Sequence, residues 1–163
     1  MSVAPHPAAK ASFCDENVSL QIRDFGGKAK HVWDVTESGP FVEMEAHTIW
    51  QGADGRLLDV SPSLIGASRH FVIPSLVPFT RPYPGNVLLS LSNDSIHREF
   101  AYYSSLANAV IAPNRVVGCM VVRTDILRIW AREFIEKNSV NCDLEKLIRM
   151  CIITLKSRGS VVS

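Results

Sequence analysis

Apolar residues recur at helical spacing in the first part of the chain. Val18, Ile22 and Phe25 follow one another at i, i+4 and i+7, which is the pattern of a helix that buries one face. The glycine pair Gly26-Gly27 comes directly afterwards and predicts the end of that helix. Cys14 therefore lies at the N-terminal end of a short predicted helix.

Residues 41–51 predict a strand, because their side chains alternate between a more apolar face and a more polar one. The more apolar face is expected to pack on the core and carries Val42, Met44, Ala46, Thr48 and Trp50. The opposite face carries Phe41, Glu43, Glu45, His47 and Ile49. Residues 29–36 predict an earlier strand, residues 52–55 a hairpin turn, and residues 56–61 the return strand of that hairpin.

The rest of the chain predicts an irregular loop followed mainly by helices. Four of the nine prolines fall between Pro74 and Pro84, which predicts an irregular crossing within residues 62–92. We expect a helix from Asn93 or Asp94 to about Leu106. Short strands are predicted over 109–112 and 116–122, and two further helices over 125–137 and 143–156.

Together these elements predict an α+β fold, in which an N-terminal helix packs on an antiparallel sheet and C-terminal helices cover it. The chain has 163 residues, of which 47% are hydrophobic and 20% charged, as is typical of one globular domain. Residues 1–12 are small and contain proline, and they predict a flexible N-terminal segment. Residues 13–160 are then expected to form a single α+β domain.

The charge balance and the apolar runs exclude several classes of partner. Lysine and arginine number 17, aspartate and glutamate 16, and the net charge is +1, which argues against a nucleic-acid partner. The longest strongly apolar run, residues 116–122, is far shorter than the ~20 residues of a membrane helix. No secretory signal is visible before residue 13. We therefore expect a cytoplasmic protein with no membrane partner, whose four cysteines are reduced.

The strongest candidate for chemistry is the set Cys14, His47 and Asp59. A thiol attacks as its thiolate, which a helix N-terminus stabilises, and a histidine is the usual base that takes the proton. A turn centred on Ala53 predicts that His47 lies opposite Asp59. The two side chains then share one face of the hairpin with Cβ atoms about 4.5–5.5 Å apart, so that Asp59 can orient the imidazole.

Four segments carry a resemblance that covers roughly residues 13–62. They are 13–18 (FCDENV), 26–35 (GGKAKHVWDV), 45–50 (EAHTIW) and 55–62 (GRLLDVSP). A cysteine that opens a helix, a glycine that ends it, a strand histidine followed by an aromatic, and an aspartate near a proline-containing turn occur here in that order. This order resembles the transglutaminase-like branch of the papain-like cysteine superfamily.

The resemblance implies a papain/transglutaminase-like core and a cysteine-dependent activity on an amide bond. Cys14 is the implied nucleophile, His47 the base and Asp59 the residue that orients the base. A thioester intermediate is implied, in a peptidase, a deamidase or a transglutaminase-like enzyme whose substrate is a protein or peptide. No cofactor is expected.

Three further residues are candidates for substrate binding. Asn17 lies one turn after Cys14, His31 lies at the start of a strand, and Glu45 shares the predicted face of His47. The competing interpretations are a structural role for His31 and a solvated surface position for Glu45. The remaining cysteines lie in apolar stripes and are expected to be core thiols; they are Cys119, Cys142 and Cys151.

Two other functions compete with the enzyme. A non-catalytic protein-binding module on the same fold would use the terminal helices and the proline-rich residues 71–84, with a homodimer as one form of it. A zinc site would draw on Cys14, His31, His47 and Asp59. The sequence lacks closely spaced ligand pairs such as CxxC or HxxxH, so no metal is predicted.

Overall fold

The computed structural model describes residues 2–3, 7–10, 13–62, 70–75, 79, 84–114 and 121–163. Within these residues the protein is α+β, with four α-helices and strand pairings that are mostly antiparallel. The predicted α+β class is confirmed. Two compact units divide the chain: Met1–Glu37 with Glu45–Phe79 form the first, and Ser38–Met44 with Thr80–Ser163 form the second. The single domain predicted over residues 13–160 stays a prediction.

The sheet of the first unit has the strand order β1-β4-β3-β2-β5. Its strands are β1 (Ser2–Val3), β2 (Lys28–Ser38), β3 (Phe41–Gln51), β4 (Leu57–Asp59) and β5 (His70–Pro74). β3 has the bounds that its alternating pattern predicts. β1 lies within the segment predicted to be flexible and runs parallel to β4, where Val3 pairs with Asp59.

Helix α1 spans Cys14–Phe25, as the spacing of its apolar residues predicts. Gly26 ends the helix with a φ of 69°, and its N–H donates to the Ile22 carbonyl at 2.8 Å. The indole Nε1 of Trp50 donates to the Gly26 carbonyl at 2.8 Å. The C-terminal end of α1 is therefore tied to β3.

The hairpin between β3 and β4 turns one residue later than the sequence predicts. Gln51 pairs with Leu57, which centres the turn on Asp54 rather than on Ala53. The connection runs over residues 52–56 and closes with a 3.0 Å hydrogen bond across its ends. The predicted register is thus wrong by two residues, because the pattern of turn residues does not reveal where the loop closes.

This shift changes the partner of Asp59 but not its face. Continued by one residue, the observed register places Asp59 opposite Ile49, and His47 lies diagonally from it. Side chains in a strand repeat every two residues, so a two-residue shift keeps Asp59 on the face of His47. Diagonal neighbours on one face remain within reach of each other.

The second unit is mainly helical. Its elements are β6 (Val87–Ser90), α2 (Ser95–Ile111), a short 3₁₀ turn (Ala112–Asn114), β7 (Val121–Val122), α3 (Thr124–Asn138), α4 (Leu144–Ser157) and β8 (Val161–Val162). β6 pairs with the Phe41–Met44 portion of β3, which belongs to this unit, and β7 pairs in parallel with β8. The predicted helices over 125–137 and 143–156 are confirmed as α3 and α4.

One continuous apolar cluster joins the three helices of the second unit. Asp94 and Asp143 cap α2 and α4, accepting hydrogen bonds from the N–H groups of Ile96 and Lys146 at 2.8 and 3.0 Å. The buried members of the cluster are Tyr103, Ala107, Val110, Ile111, Val122, Leu127, Ala131, Leu147, Ile148, Cys151 and Leu155. The stripes of α3 and α4 thus bury the faces that their spacing predicts.

The strand predicted over residues 109–112 is wrong, because α2 continues to Ile111. Ala107, Val110 and Ile111 lie at helical spacing, and all three are buried in the cluster. Short apolar runs do not distinguish a strand from a buried helix by themselves. Packing against the other helices decides the structure here.

The irregular loop predicted over residues 62–92 also needs correction, since it contains β5 and β6. β5 pairs antiparallel with β2, and β6 with the start of β3. Of the strand predicted over 116–122, Val121–Val122 form β7. Residues 116–120 lie outside the described residues.

Candidate active site

Cys14 is the first residue of α1, as predicted. Phe13 precedes it at the N-cap position and supplies no side-chain hydrogen bond to the helix end. The backbone N–H groups at a helix start carry a partial positive charge, which favours a thiolate. The thiol is free and half-buried, so it combines access with a position that stabilises negative charge.

His47 and Asp59 meet on one face of the β3–β4 hairpin. Nε2 of His47 lies 3.1 Å from Oδ2 of Asp59, and only 15% and 19% of the two side chains is exposed. The atoms are at ion-pair distance, although Nε2 is buried without a well-aligned hydrogen bond. Catalytic hydrogen bonds are often poorly aligned before substrate binds. The enclosure means that water screens this pair only weakly.

His47 has Cys14 as well as Asp59 among its neighbours, and both act on its pKa. Burial lowers the pKa of His47, but Asp59 and Cys14 outweigh burial and raise the pKa to about 10. Both neighbours therefore favour the imidazolium form of His47.

The two oxygens of the Asp59 carboxylate lie next to different groups. Its Oδ1 accepts a hydrogen bond from the Ser61 N–H at 2.9 Å, an aspartate turn of the kind that the Asp-Val-Ser-Pro sequence favours. This leaves Oδ2 to face His47. The turn after β4 therefore sets which oxygen of Asp59 meets the imidazole.

A second contact links the neighbours of Cys14 and His47. Thr48 is 1% exposed, and its Oγ1 donates to Oδ1 of Asp15 at 2.7 Å. Asp15 follows Cys14 and Thr48 follows His47, so the bond ties α1 to β3 next to these two residues. Sequence reasoning missed this contact. Its one available signal is a threonine among apolar residues on the face of β3 predicted to be buried.

The predicted substrate-binding residues lie in three different environments. Asn17 is 1% exposed, and its amide hydrogen-bonds the Lys10 backbone and Ser61, so its contacts are internal. His31 is half-buried, accepts a 2.7 Å hydrogen bond at Nδ1 from the Phe79 N–H, and packs against the Phe79 ring. Glu45 is exposed on β3. Binding of substrate by His31 and Glu45 stays a prediction.

The other described cysteines differ from Cys14. Cys151 is fully buried in the helical cluster, and burial raises its pKa to about 12. Burial also raises the pKa of Cys142, and the nearby Asp143 adds to that shift. Both effects disfavour the thiolate. Cys119 lies outside the described residues.

Metal-binding geometry is not found in the part of the chain that the structure describes, where no three His, Cys, Asp or Glu side chains converge on one point.

The chain was compared with protein-family models, with curated proteins and with solved structures, and none of the three comparisons gives a match. Each helix within the described residues is too short or too polar to traverse a lipid bilayer. Evidence about function therefore rests on the residues of the site.

Proposed function

We propose that this protein is a cysteine-dependent enzyme that acts on an amide bond through a thioester, on a papain/transglutaminase-like core. The observation that carries the proposal is the placement of His47, whose Nε2 lies 3.1 Å from Oδ2 of Asp59 and which has Cys14 as a second neighbour. A nucleophile, a base and a group that orients the base form the minimal set for acyl transfer from an amide.

The first half of the reaction transfers the acyl group to sulfur. Cys14 gives its proton to the imidazole of His47, and the thiolate attacks the amide carbonyl carbon to form a C–S bond. As the tetrahedral intermediate collapses, the C–N bond breaks and the amine leaves with the proton that His47 held. The products of this half are an acyl thioester on Cys14, a free amine and a neutral imidazole.

The second half regenerates the enzyme. The neutral imidazole of His47 takes a proton from water or from an acceptor amine, and that nucleophile attacks the thioester carbonyl. The C–S bond breaks, the acyl group leaves as an acid or as a new amide, and the thiolate–imidazolium pair returns. Asp59 stabilises the imidazolium each time it forms.

Backbone N–H groups at the start of α1 are suited to the oxyanion of the tetrahedral intermediate. The first amides of a helix lack partners within the helix, and no side chain caps this one. The N–H of Cys14 lies in the same residue as the attacking sulfur. Preorganised donors of this kind stabilise the charge that develops on the carbonyl oxygen.

The test is the rate of alkylation of each cysteine by iodoacetamide, followed by mass spectrometry on the native protein. Cys142 is the internal reference, since it is also partly exposed. Cys14 is expected to react at least ~10-fold faster than Cys142, because His47 lies next to Cys14, whereas burial and Asp143 raise the pKa of the Cys142 thiol. The His47→Ala variant should lose that advantage.

A non-catalytic binding module predicts a different result. If Cys14 reacts no faster than Cys142, and His47→Ala leaves both rates unchanged, the enzyme proposal is wrong and the binding module becomes the better interpretation. Circular dichroism of His47→Ala shows whether the variant keeps the wild-type fold, so that a slower reaction is not mistaken for unfolding.

A further inference from the structure

We propose that Asn17 is a positioning residue, which holds Asp59 against His47 by fixing Ser61. The inference deepens the proposed function and rests on it for its catalytic meaning. It also replaces the substrate contact that the sequence predicts for Asn17. The amide of Asn17 is used inside the protein, where it bonds Ser61 and the Lys10 backbone.

Asn17 is a buried side chain that cross-links two other segments of the chain by hydrogen bonds. Nδ2 donates to Oγ of Ser61 at 3.2 Å and to the Lys10 carbonyl at 2.7 Å, while Oδ1 accepts from the Lys10 N–H at 2.9 Å. The side chain is 1% exposed and Ser61 is 7% exposed. Both amide donors are therefore satisfied, as a buried polar side chain requires.

These bonds connect α1 to the His47–Asp59 pair. Asn17 lies in α1, three residues after Cys14, so both side chains belong to the same helix. Asn17 bonds Ser61, whose N–H donates to Oδ1 of Asp59 at 2.9 Å. Oδ2 of Asp59 lies 3.1 Å from Nε2 of His47, which has Cys14 as its second neighbour. One rigid helix thereby positions the nucleophile and, through Ser61, the carboxylate.

Asparagine suits this position because two donors and one acceptor are used at once. An aspartate would keep the shape but present oxygens to the Ser61 hydroxyl and the Lys10 carbonyl, and the carbonyl would then face a buried charge. Ser61→Ala is the finer probe, since it removes the hydroxyl that Asn17 holds and keeps the backbone N–H that binds Asp59. Ser61→Thr keeps the hydroxyl.

The second unit offers a matched control. Asn108 is also a buried asparagine of a helix: its Nδ2 donates to the Asn86 carbonyl at 3.0 Å, and its Oδ1 accepts from Arg158 at 2.9 Å. Asn108→Ala removes a comparable set of hydrogen bonds from a unit that lacks the reactive cysteine. Any effect shared by Asn17→Ala and Asn108→Ala is a general loss of stability.

The experiment is an NMR titration of the His47 imidazole in the full chain, for the wild type and four variants: Ser61→Ala, Ser61→Thr, Asn17→Ala and Asn108→Ala. A displaced Asp59 stabilises the imidazolium less, so Ser61→Ala should lower the His47 titration midpoint by about one unit. Ser61→Thr should keep the wild-type midpoint, and so should Asn108→Ala. Asn17→Ala should lower the midpoint at least as far as Ser61→Ala does.

The proposal is overturned if Ser61→Ala keeps the wild-type midpoint, or if Asn108→Ala lowers it equally. Should Asn17→Ala fail to fold, the two Ser61 variants decide the matter alone. The titration needs no turnover, so its failure is distinct from that of the proposed function. A slow Cys14 in the wild type contradicts the enzyme, whereas an unshifted His47 midpoint contradicts the positioning role.

Discussion

The buried polar groups of the two units have different kinds of hydrogen-bond partner. In the first unit Asn17 bonds Ser61, Thr48 bonds Asp15, and the Ser61 N–H bonds Asp59, so these buried groups hold the residues next to Cys14 and His47. In the second unit the buried Asn108 joins α2 to a carbonyl and an arginine, beside a large apolar cluster. Burying polar groups is unfavourable unless each is satisfied, and in the first unit the groups that satisfy them are neighbours of the proposed catalytic residues.

The largest effect that can test this comparison is a cavity in the second unit. Leu147 is fully buried in the helical cluster, and Leu147→Ala should lower the free energy of unfolding by ~2–5 kcal/mol. Denaturant unfolding followed by circular dichroism measures that loss. Under native conditions the iodoacetamide rate of Cys14 should stay at the wild-type value. A fall in that rate in the folded variant would show that the reactivity of Cys14 depends on packing in the second unit, which contradicts the comparison.

A smaller effect is expected from the hydroxyl of Thr48. Thr48→Val keeps the shape of the side chain and removes the bond to Asp15, so the start of α1 is held less firmly beside His47. We expect Cys14 alkylation to slow ~10-fold, which corresponds to about 1.4 kcal/mol. Mass spectrometry of the alkylated protein measures the rate.

The control for Thr48→Val is Thr124→Val in the second unit. Thr124 Oγ1 donates to the Ser163 carbonyl at 2.8 Å, so the substitution also removes one threonine hydrogen bond. Thr124→Val should leave Cys14 alkylation unchanged. Equal rates for Thr48→Val and the wild type would show that the Asp15 contact has no part in the reactivity of Cys14.

Local signals predicted the parts of the site that depend on neighbouring residues. The apolar spacing and the glycines predicted α1, and therefore Cys14 at its start. The alternation of residues 41–51 predicted β3, and the two-residue period kept His47 and Asp59 on one face although the register was wrong. Predictions of this kind depend on a few neighbouring residues. They therefore stay correct when the predicted register of the hairpin is wrong by two residues.

The parts that sequence reasoning missed depend on contacts between distant segments. Thr48 meets Asp15 and Asn17 meets Ser61 across 33 and 44 residues of chain, and no spacing rule links such pairs. Asn17 was expected to face substrate because of its distance from Cys14 along a helix. That distance places Asn17 one helical turn after Cys14. It does not show which other segment of the chain the Asn17 side chain contacts.

The most direct measurement is the mass of the protein during reaction with an activated peptide acyl ester. The tryptic peptide of residues 11–23, released after Lys10, contains Cys14 and no other cysteine. We predict that it gains the mass of the acyl group and loses it on treatment with hydroxylamine, as a thioester does. Cys14→Ser and His47→Ala should prevent the rapid acylation. An absent adduct, or one on Cys142 to the same extent, would contradict the assignment of Cys14 as the nucleophile.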